Sequence, residues 1–104
     1  MANGQRGEIS AVIEGEERTL CLTLGALAEL EGRLMAGDLV ALSERFAAGR
    51  VSARDLTAII GAGLRGGGNA VTDDDIARMS IEGGLRGAAE IAARLLRATF
   101  GDAP

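Results

Sequence analysis

The 104-residue chain contains no histidine, lysine, tyrosine or tryptophan, and a single cysteine, Cys21. Each absence removes a class of chemistry. Without His or Lys, no customary base stands ready to activate a Ser, Thr or Cys nucleophile. One thiol and no imidazole argue equally against a zinc or copper site. Cys21 cannot close an intramolecular disulfide, which suits a reducing cytoplasm. Phe46 and Phe100 are the only aromatics, so the core must be built of Leu, Ile, Val and Ala, side chains small enough to let helices approach closely. No apolar run is long enough to cross a bilayer, and no charged-then-apolar leader opens the chain. The expectation is a soluble intracellular protein with no membrane partner.

Basic charge is present in one form only. All eleven basic residues are Arg, scattered from Arg6 to Arg97, against fifteen acids, for a net charge of -4 and a pI of about 4.8. Nucleic-acid binding calls for a concentrated positive field and often for stacking aromatics. Neither is visible, so no nucleic-acid partner is expected.

A chain of this size fits one domain, residues 1–104, ordered from about 7 to 100, and buries roughly two thirds of its unfolded surface without staples. The segment Glu8 to Glu14 (EISAVIE) alternates. Ile9, Ala11 and Ile13 fall on one side and Glu8, Ser10 and Glu14 on the other, with Val12 the exception on the polar side. After an acidic turn, Glu14-Gly15-Glu16-Glu17, the segment Arg18 to Leu24 alternates again, setting Leu20, Leu22 and Leu24 opposite Thr19, Cys21 and Thr23. Two such runs about a short Gly-containing turn predict a β-hairpin. A lone hairpin is marginal in water, so its apolar face must lie on helices or on a partner's sheet.

At Leu24 the period becomes helical, with Leu24, Leu27, Leu30 and Leu34 on one side, Thr23 as N-cap and Gly37 as the stop. Asp38 is expected to cap a second helix, which buries Leu39, Leu42 and Phe46 and ends at Gly49. The next two starts are built alike. Val51 to Leu56 (VSARDL) and Val71 to Ile76 (VTDDDI) both read V-[ST]-x-x-D-[LI]. Ser52 and Thr72 are the N-caps, Asp55 and Asp75 reach back to them, and the flanking apolar residues are spaced for a hydrophobic staple. The first of these helices carries Leu56, Ile59, Ile60 and Leu64 inward; the second, with Ile76 and Met79, is short. A last helix runs from about Leu85 to Phe100. Ala88, Ala89, Ala92, Leu95, Leu96 and Thr99 mark its inner side, Ile91 widens that stripe, and Arg86, Glu90 and Arg94 line its solvent side as ion-pair candidates. Met1 to Gly7 and Gly101 to Pro104 are expected to fray. The predicted fold is therefore α+β and mostly helical: an N-terminal two-stranded hairpin between Glu8 and Leu24, then four or five short helices. Its core should be Leu20, Leu22, Leu27, Leu30, Leu42, Phe46, Leu56, Ile59, Ile60, Ile76, Leu95 and Leu96.

Several motifs invite a chemical reading and fail it. Gly61-Ala62-Gly63-Leu64-Arg65-Gly66 matches G-x-G-x-x-G, but dinucleotide-binding glycines follow a strand and open a helix. Here they follow a capped helix and run into Gly66-Gly67-Gly68-Asn69, which reads as a Gly-rich helix end with a flexible connection behind it. Asp73-Asp74-Asp75 lacks the alternating ligands and distant Glu of a calcium loop and fits the positive end of a helix dipole instead. Cys21, set between leucines in a predicted strand, reads as a small buried residue. Glu16 with Glu17, and Glu29 with Glu31, read as solvated surface charges. The Asp-Ser-Leu attachment site of acyl carriers is absent. No catalytic, cofactor-binding or metal residue is assigned, no cofactor is expected, and the chain is read as non-enzymatic.

Taken together, RGEISAVIEGEERTLCLTLGALAELEGRL, then RFAAGRVSARDLTAIIGAGLRGGG, then VTDDDIARM resembles one family, the small tail proteins of phages and of phage-like gene transfer agents, which include phage tail assembly chaperones. The most specific pieces are LTLGALAELE (Leu22 to Glu31), the Leu56 to Arg65 segment with LRG, and the acidic VTDDDI. The resemblance runs from about Arg6 to Phe100 and carries no active-site residues. It implies a role in tail morphogenesis, with the tape-measure protein and/or the tail tube protein as partner, in the bacterial cytoplasm or in the tail of the particle. Such a chaperone needs exposed apolar surface and enough net charge to stay soluble. The apolar hairpin and the Ala- and Leu-rich last helix are the surfaces expected to supply it, and self-association into a homo-oligomer is compatible with both. Three readings stand: a tail assembly chaperone absent from the finished particle; a structural tail component, which the family's description as tail tube proteins keeps open; and an unrelated small bacterial interaction module.

Overall fold

Glu8–Ile13 forms β1 and Glu16–Cys21 forms β2, paired antiparallel with Ile9 opposite Leu20 and Ile13 opposite Glu16. This computed structural model describes residues 7–33, 39–50 and 52–101. The hairpin turn is shorter than the sequence suggests. Only Glu14 and Gly15 lie in it, at φ 57° and 74°, the two positive values that a type I′ two-residue turn requires. Glu16 and Glu17 belong to β2, and Leu24 lies beyond the strand. The register sets Ile9, Ala11 and Ile13 on one face with Leu20, and Leu22 continues it; all five are buried. A one-residue slip would send that row to solvent, which is why the pairing is well defined.

Five helices follow among the described residues: α1 (Leu24–Arg33), α2 (Leu39–Ala47), α3 (Ala53–Gly66), α4 (Asp73–Arg78) and α5 (Gly84–Phe100). Thr23 caps α1, its hydroxyl accepting from the Ala26 N–H at 3.1 Å. The expected stripe of α1 needs one correction. Leu24 is 86% exposed, while Ala26 and Leu30 are buried and Leu27 packs at the margin. At 3.6 residues per turn, a face centred on Ala26 and Leu30 leaves Leu24 about 140° round the helix. Leu34, Gly37, Asp38 and Val51, with residues 1–6 and 102–104, lie outside the described residues.

The twin capping motifs form as the spacing predicts. Ser52 Oγ accepts from the Asp55 N–H at 3.1 Å, and the Asp55 carboxylate accepts from the Ser52 N–H at 3.3 Å. Thr72 Oγ1 and Asp75 repeat the exchange at 3.1 and 2.9 Å. Val71 packs against the buried cluster that includes Ile76, the placement a staple calls for.

α3 is the central element, packed by β2, α1, α4 and α5. It buries Leu56, Ile59, Ile60 and Leu64 as expected, and also Ala58, Gly61, Ala62 and Gly63. A helix enclosed on so many sides has little room for side chains, and its glycines answer that constraint. A Cβ on Gly63 would collide with Leu95 and press on Leu20. A Cβ on Gly66 would fall on the Cys21 carbonyl, and one on Gly67 on the Thr19 carbonyl. The C-terminal end of α3 thus lies directly on the backbone of β2. The expected aliphatic core is buried throughout, with Leu27 and Phe46 half-buried at its edge. On α5, Ala88, Ile91, Ala92, Leu95 and Leu96 are buried, but Arg94 leaves the expected solvent row and donates to the Ser10 carbonyl at 2.9 Å.

Both the caps and the close approach can be tested by substitution. Ser52→Ala or Thr72→Ala should each lower the unfolding free energy by about 1 kcal/mol in a denaturant titration. Gly67→Ala should cost about 3 kcal/mol, because backbone cannot move aside as a side-chain tip can. Gly32→Ala, on a helical glycine with open space around it, should instead raise stability by about 0.5 kcal/mol; equal effects at the two glycines would refute the close-approach account.

Candidate interaction surface

The residues that invited a chemical reading are dispersed by the fold into structural roles. Gly61 to Gly66 occupy the interior and last turn of α3, whose N-terminus is at Ser52. They therefore do not stand between a strand and a helix start, where a pyrophosphate would need them. The connection behind them is fixed rather than flexible. The Asn69 amide donates to the Thr19 carbonyl at 2.9 Å and to the Leu64 carbonyl at 3.0 Å. That pair of bonds fastens the loop to the outer edge of β2.

The acidic triplet is divided between separate tasks. Asp75 serves the Thr72 cap, and Asp73 accepts from Arg65 Nη1 at 3.1 Å. Asp74 keeps an exposed carboxylate with no ion pair among the described residues. Among those residues, too, no group of three or more His, Cys, Asp or Glu side chains is arranged to hold a metal ion. Glu29 is not the free surface charge that its neighbourhood in sequence suggested. It pairs with Arg65 Nη2, while Arg65 Nη1 also donates to the Val71 carbonyl at 3.2 Å. One guanidinium thereby joins α1, α3, α4 and the loop between the last two. A second such tie links α2 to α3, where Arg45 pairs with Asp55. Asp55 is 5% exposed, the buried charge among the described residues, and its carboxylate also holds the Ser52 N–H. Cys21 is half-buried at the end of β2. Glu16 pairs with Arg18 at 3.2 Å, and Glu17 and Glu31 are exposed. Sequence spacing suggested none of these Arg pairs between helices, because their partners lie eight to thirty-six residues away.

The apolar surface expected to receive a partner is largely consumed inside the molecule. The Ile9–Ala11–Ile13 face of the hairpin and the Ala88–Ala92 face of α5 are both buried in the core. Both hairpin edges also carry partners from elsewhere in the chain. Asn69 holds the Thr19 carbonyl on β2, and Arg94 holds the Ser10 carbonyl on β1. At the end of β1, Ile13 forms an isolated antiparallel bridge with Ile81, and the N–H of the next residue, Glu14, donates to the Ser80 carbonyl at 2.9 Å. The large apolar side chains left exposed among the described residues lie outside those faces, at Val12, Leu24, Leu85 and Phe100.

Three depressions stand out on the described surface. One of about 390 Å³ lies between β1 and α5, edged by Val12, Arg86, Glu90 and Arg94. A second, of about 410 Å³, lies between α3 and α4 and is lined by Arg54, Thr57, Asp73 and Asp74. The third is an apolar notch of about 120 Å³, walled by Leu56, Ile60, Ile76, Ile81 and Leu85. The last two share Thr57 and Ala77 in their walls, so they adjoin across those two residues, one polar and one apolar, along the valley between α3 and α4.

The Thr72 N–H first, and the Thr72 hydroxyl second, hold the Asp75 carboxyl below its ordinary value of 3.8, with a smaller contribution from Arg78. A depressed acid stabilises the folded state above its unfolded pKa, and that contribution is lost as pH falls through the folded value. That contribution to the start of α4 should therefore be whole above 3.8 and be lost as pH falls below it. A carbon-detected NMR titration should place the Asp75 midpoint below 3.8, and Thr72→Ala should return it towards that value.

No helix among the described residues is long and apolar enough to cross a membrane. No curated protein and no solved structure matches the chain. Residues 6–102 match the family described as "Phage tail tube protein, GTA-gp10", a span that includes the hairpin, the Arg65 ties, both capping boxes and all of α5. The chain belongs to this phage tail protein family.

Proposed function

We propose that the chain is a tail assembly chaperone, which binds the tape-measure protein and/or the tail tube protein while the tail is built and is absent from the finished particle. The observation that supports this reading is the engagement of both hairpin edges. A wall subunit that polymerised by extending a sheet would offer unpaired strand edges to its neighbours. Here Arg94, Asn69 and the Ser80–Ile81 segment occupy edge groups of β1 and β2. A mostly helical body with isolated exposed apolar residues suits transient contact with a helical client better than a sheet-built wall. The role requires no catalysis, and its place of action is the bacterial cytoplasm. The family's description as a tail tube protein favours a second reading, a structural component retained in the tail. Family membership removes the unrelated interaction module.

Co-expression with the tape-measure protein of the same particle should keep that protein soluble and co-purify the two. Apolar contact predicts only modest salt sensitivity, unlike the steep loss expected of a nucleic-acid complex. Quantitative mass spectrometry of mature particles should then find little or none of this chain. A fixed copy number per tail would establish the structural reading instead.

A further inference from the structure

We infer that the valley between α3 and α4, with Leu85 at its rim, is a self-complementary face through which two copies of this chain pair about a two-fold axis. The inference does not rest on the chaperone reading, since either tail role is compatible with it. Four features lie together there. Leu85, in the first turn of α5, is 68% exposed. It forms one wall of the apolar notch of about 120 Å³, which has room for an aliphatic side chain. Across the Thr57–Ala77 saddle, Arg54 and Asp74 line the same depression. Both are exposed, and neither takes an ion pair among the described residues.

An isologous contact requires one patch to carry both a feature and its complement. This face does so twice: an exposed leucine on the rim of a hole for one, and an exposed guanidinium beside an exposed carboxylate. A two-fold operation through the saddle would set each Leu85 against the other copy's notch and each Arg54 against the other copy's Asp74. An unlike partner would need only the hole. The charge pattern also favours a second copy over a uniformly basic or acidic client, because either would meet one like charge. Two leucines and two solvent-exposed ion pairs make a weak dimer rather than an obligate one.

Sedimentation velocity on the purified full chain, over a concentration series, should show a reversible monomer–dimer equilibrium. Leu85→Glu should raise the dissociation constant about a hundredfold, since both buried leucines are lost at once. Its folding should survive, because the site is exposed and a carboxylate is favoured in a helix's first turn; a circular-dichroism melt checks this. Arg54→Glu and Asp74→Arg should each weaken self-association by roughly tenfold. Mixing these two variants should restore dimerisation. The introduced glutamate of one variant then faces the introduced arginine of the other, and the retained Asp74 of the first faces the retained Arg54 of the second. A chain that is monomeric throughout overturns the proposal, as does a dimer indifferent to Leu85→Glu. Failure of the mixed variants to recover would overturn the two-fold pairing. Loss of tape-measure binding in Leu85→Glu, with self-association unchanged or absent, would assign the face to that client instead.

Discussion

The close approach of α3 to β2 is the constraint on which the rest of the structure depends. Gly66 and Gly67 lie where any side chain would strike the carbonyls of Cys21 and Thr19, and Gly63 leaves space for Leu95 and Leu20. Because the helix end rests on strand backbone, Asn69 can reach both the Thr19 and Leu64 carbonyls. The hairpin then needs no partner sheet: α3 and α5 together cover its apolar face, and its otherwise marginal two strands become part of a single buried cluster. Small residues are the means throughout, since a core with almost no aromatics gains its density from close-set backbones rather than from large rings.

Around this contact, three charged side chains serve the periphery. Arg65 joins α1, α3 and α4 through Glu29, Asp73 and the Val71 carbonyl. Arg45 ties α2 to Asp55, which already closes the cap of α3. Arg94 crosses to the edge of β1. A guanidinium aims several donors in fixed directions, as an ammonium could not, which gives a physical use for a chain whose basic residues are all Arg. Asp55 in particular is held from two sides, so its burial leaves no uncompensated charge.

The same packing redraws the surface on which a tail protein must act. The hairpin face and the Ala-rich face of α5 are spent inside, and strand edges are engaged by the chain itself. Among the described residues, contact with other molecules is left to isolated apolar side chains such as Leu24 and Phe100, and to the valley between α3 and α4. Such a surface would suit limited, reversible association, the kind that the proposed role in tail assembly calls for in this member of a phage tail family.

Much of the fold was legible in the sequence because it is encoded locally. Alternation placed the hairpin, and hydroxyl–carboxylate spacing placed the starts of α3 and α4, since a cap and its partner lie three residues apart. The aliphatic core followed from periodicity, and the family from short sequence stretches. The details that failed are those that depend on the third dimension. Leu24 belongs to both the alternating and the helical pattern, and only the rotation of α1 towards Ala26 and Leu30 decided that it faces solvent. The turn shrank to Glu14 and Gly15 because strand register, not composition, determines where pairing ends. The Gly61–Gly68 run looked like a phosphate motif or a loose connection, and only the approach of β2 showed why Gly66 and Gly67 lack side chains. The candidate surface was the least legible of all. Which apolar faces remain exposed is decided by what packs against them, and neither the saddle joining Arg54 and Asp74 to the Leu85 notch nor the Arg65 ties exist until distant segments meet.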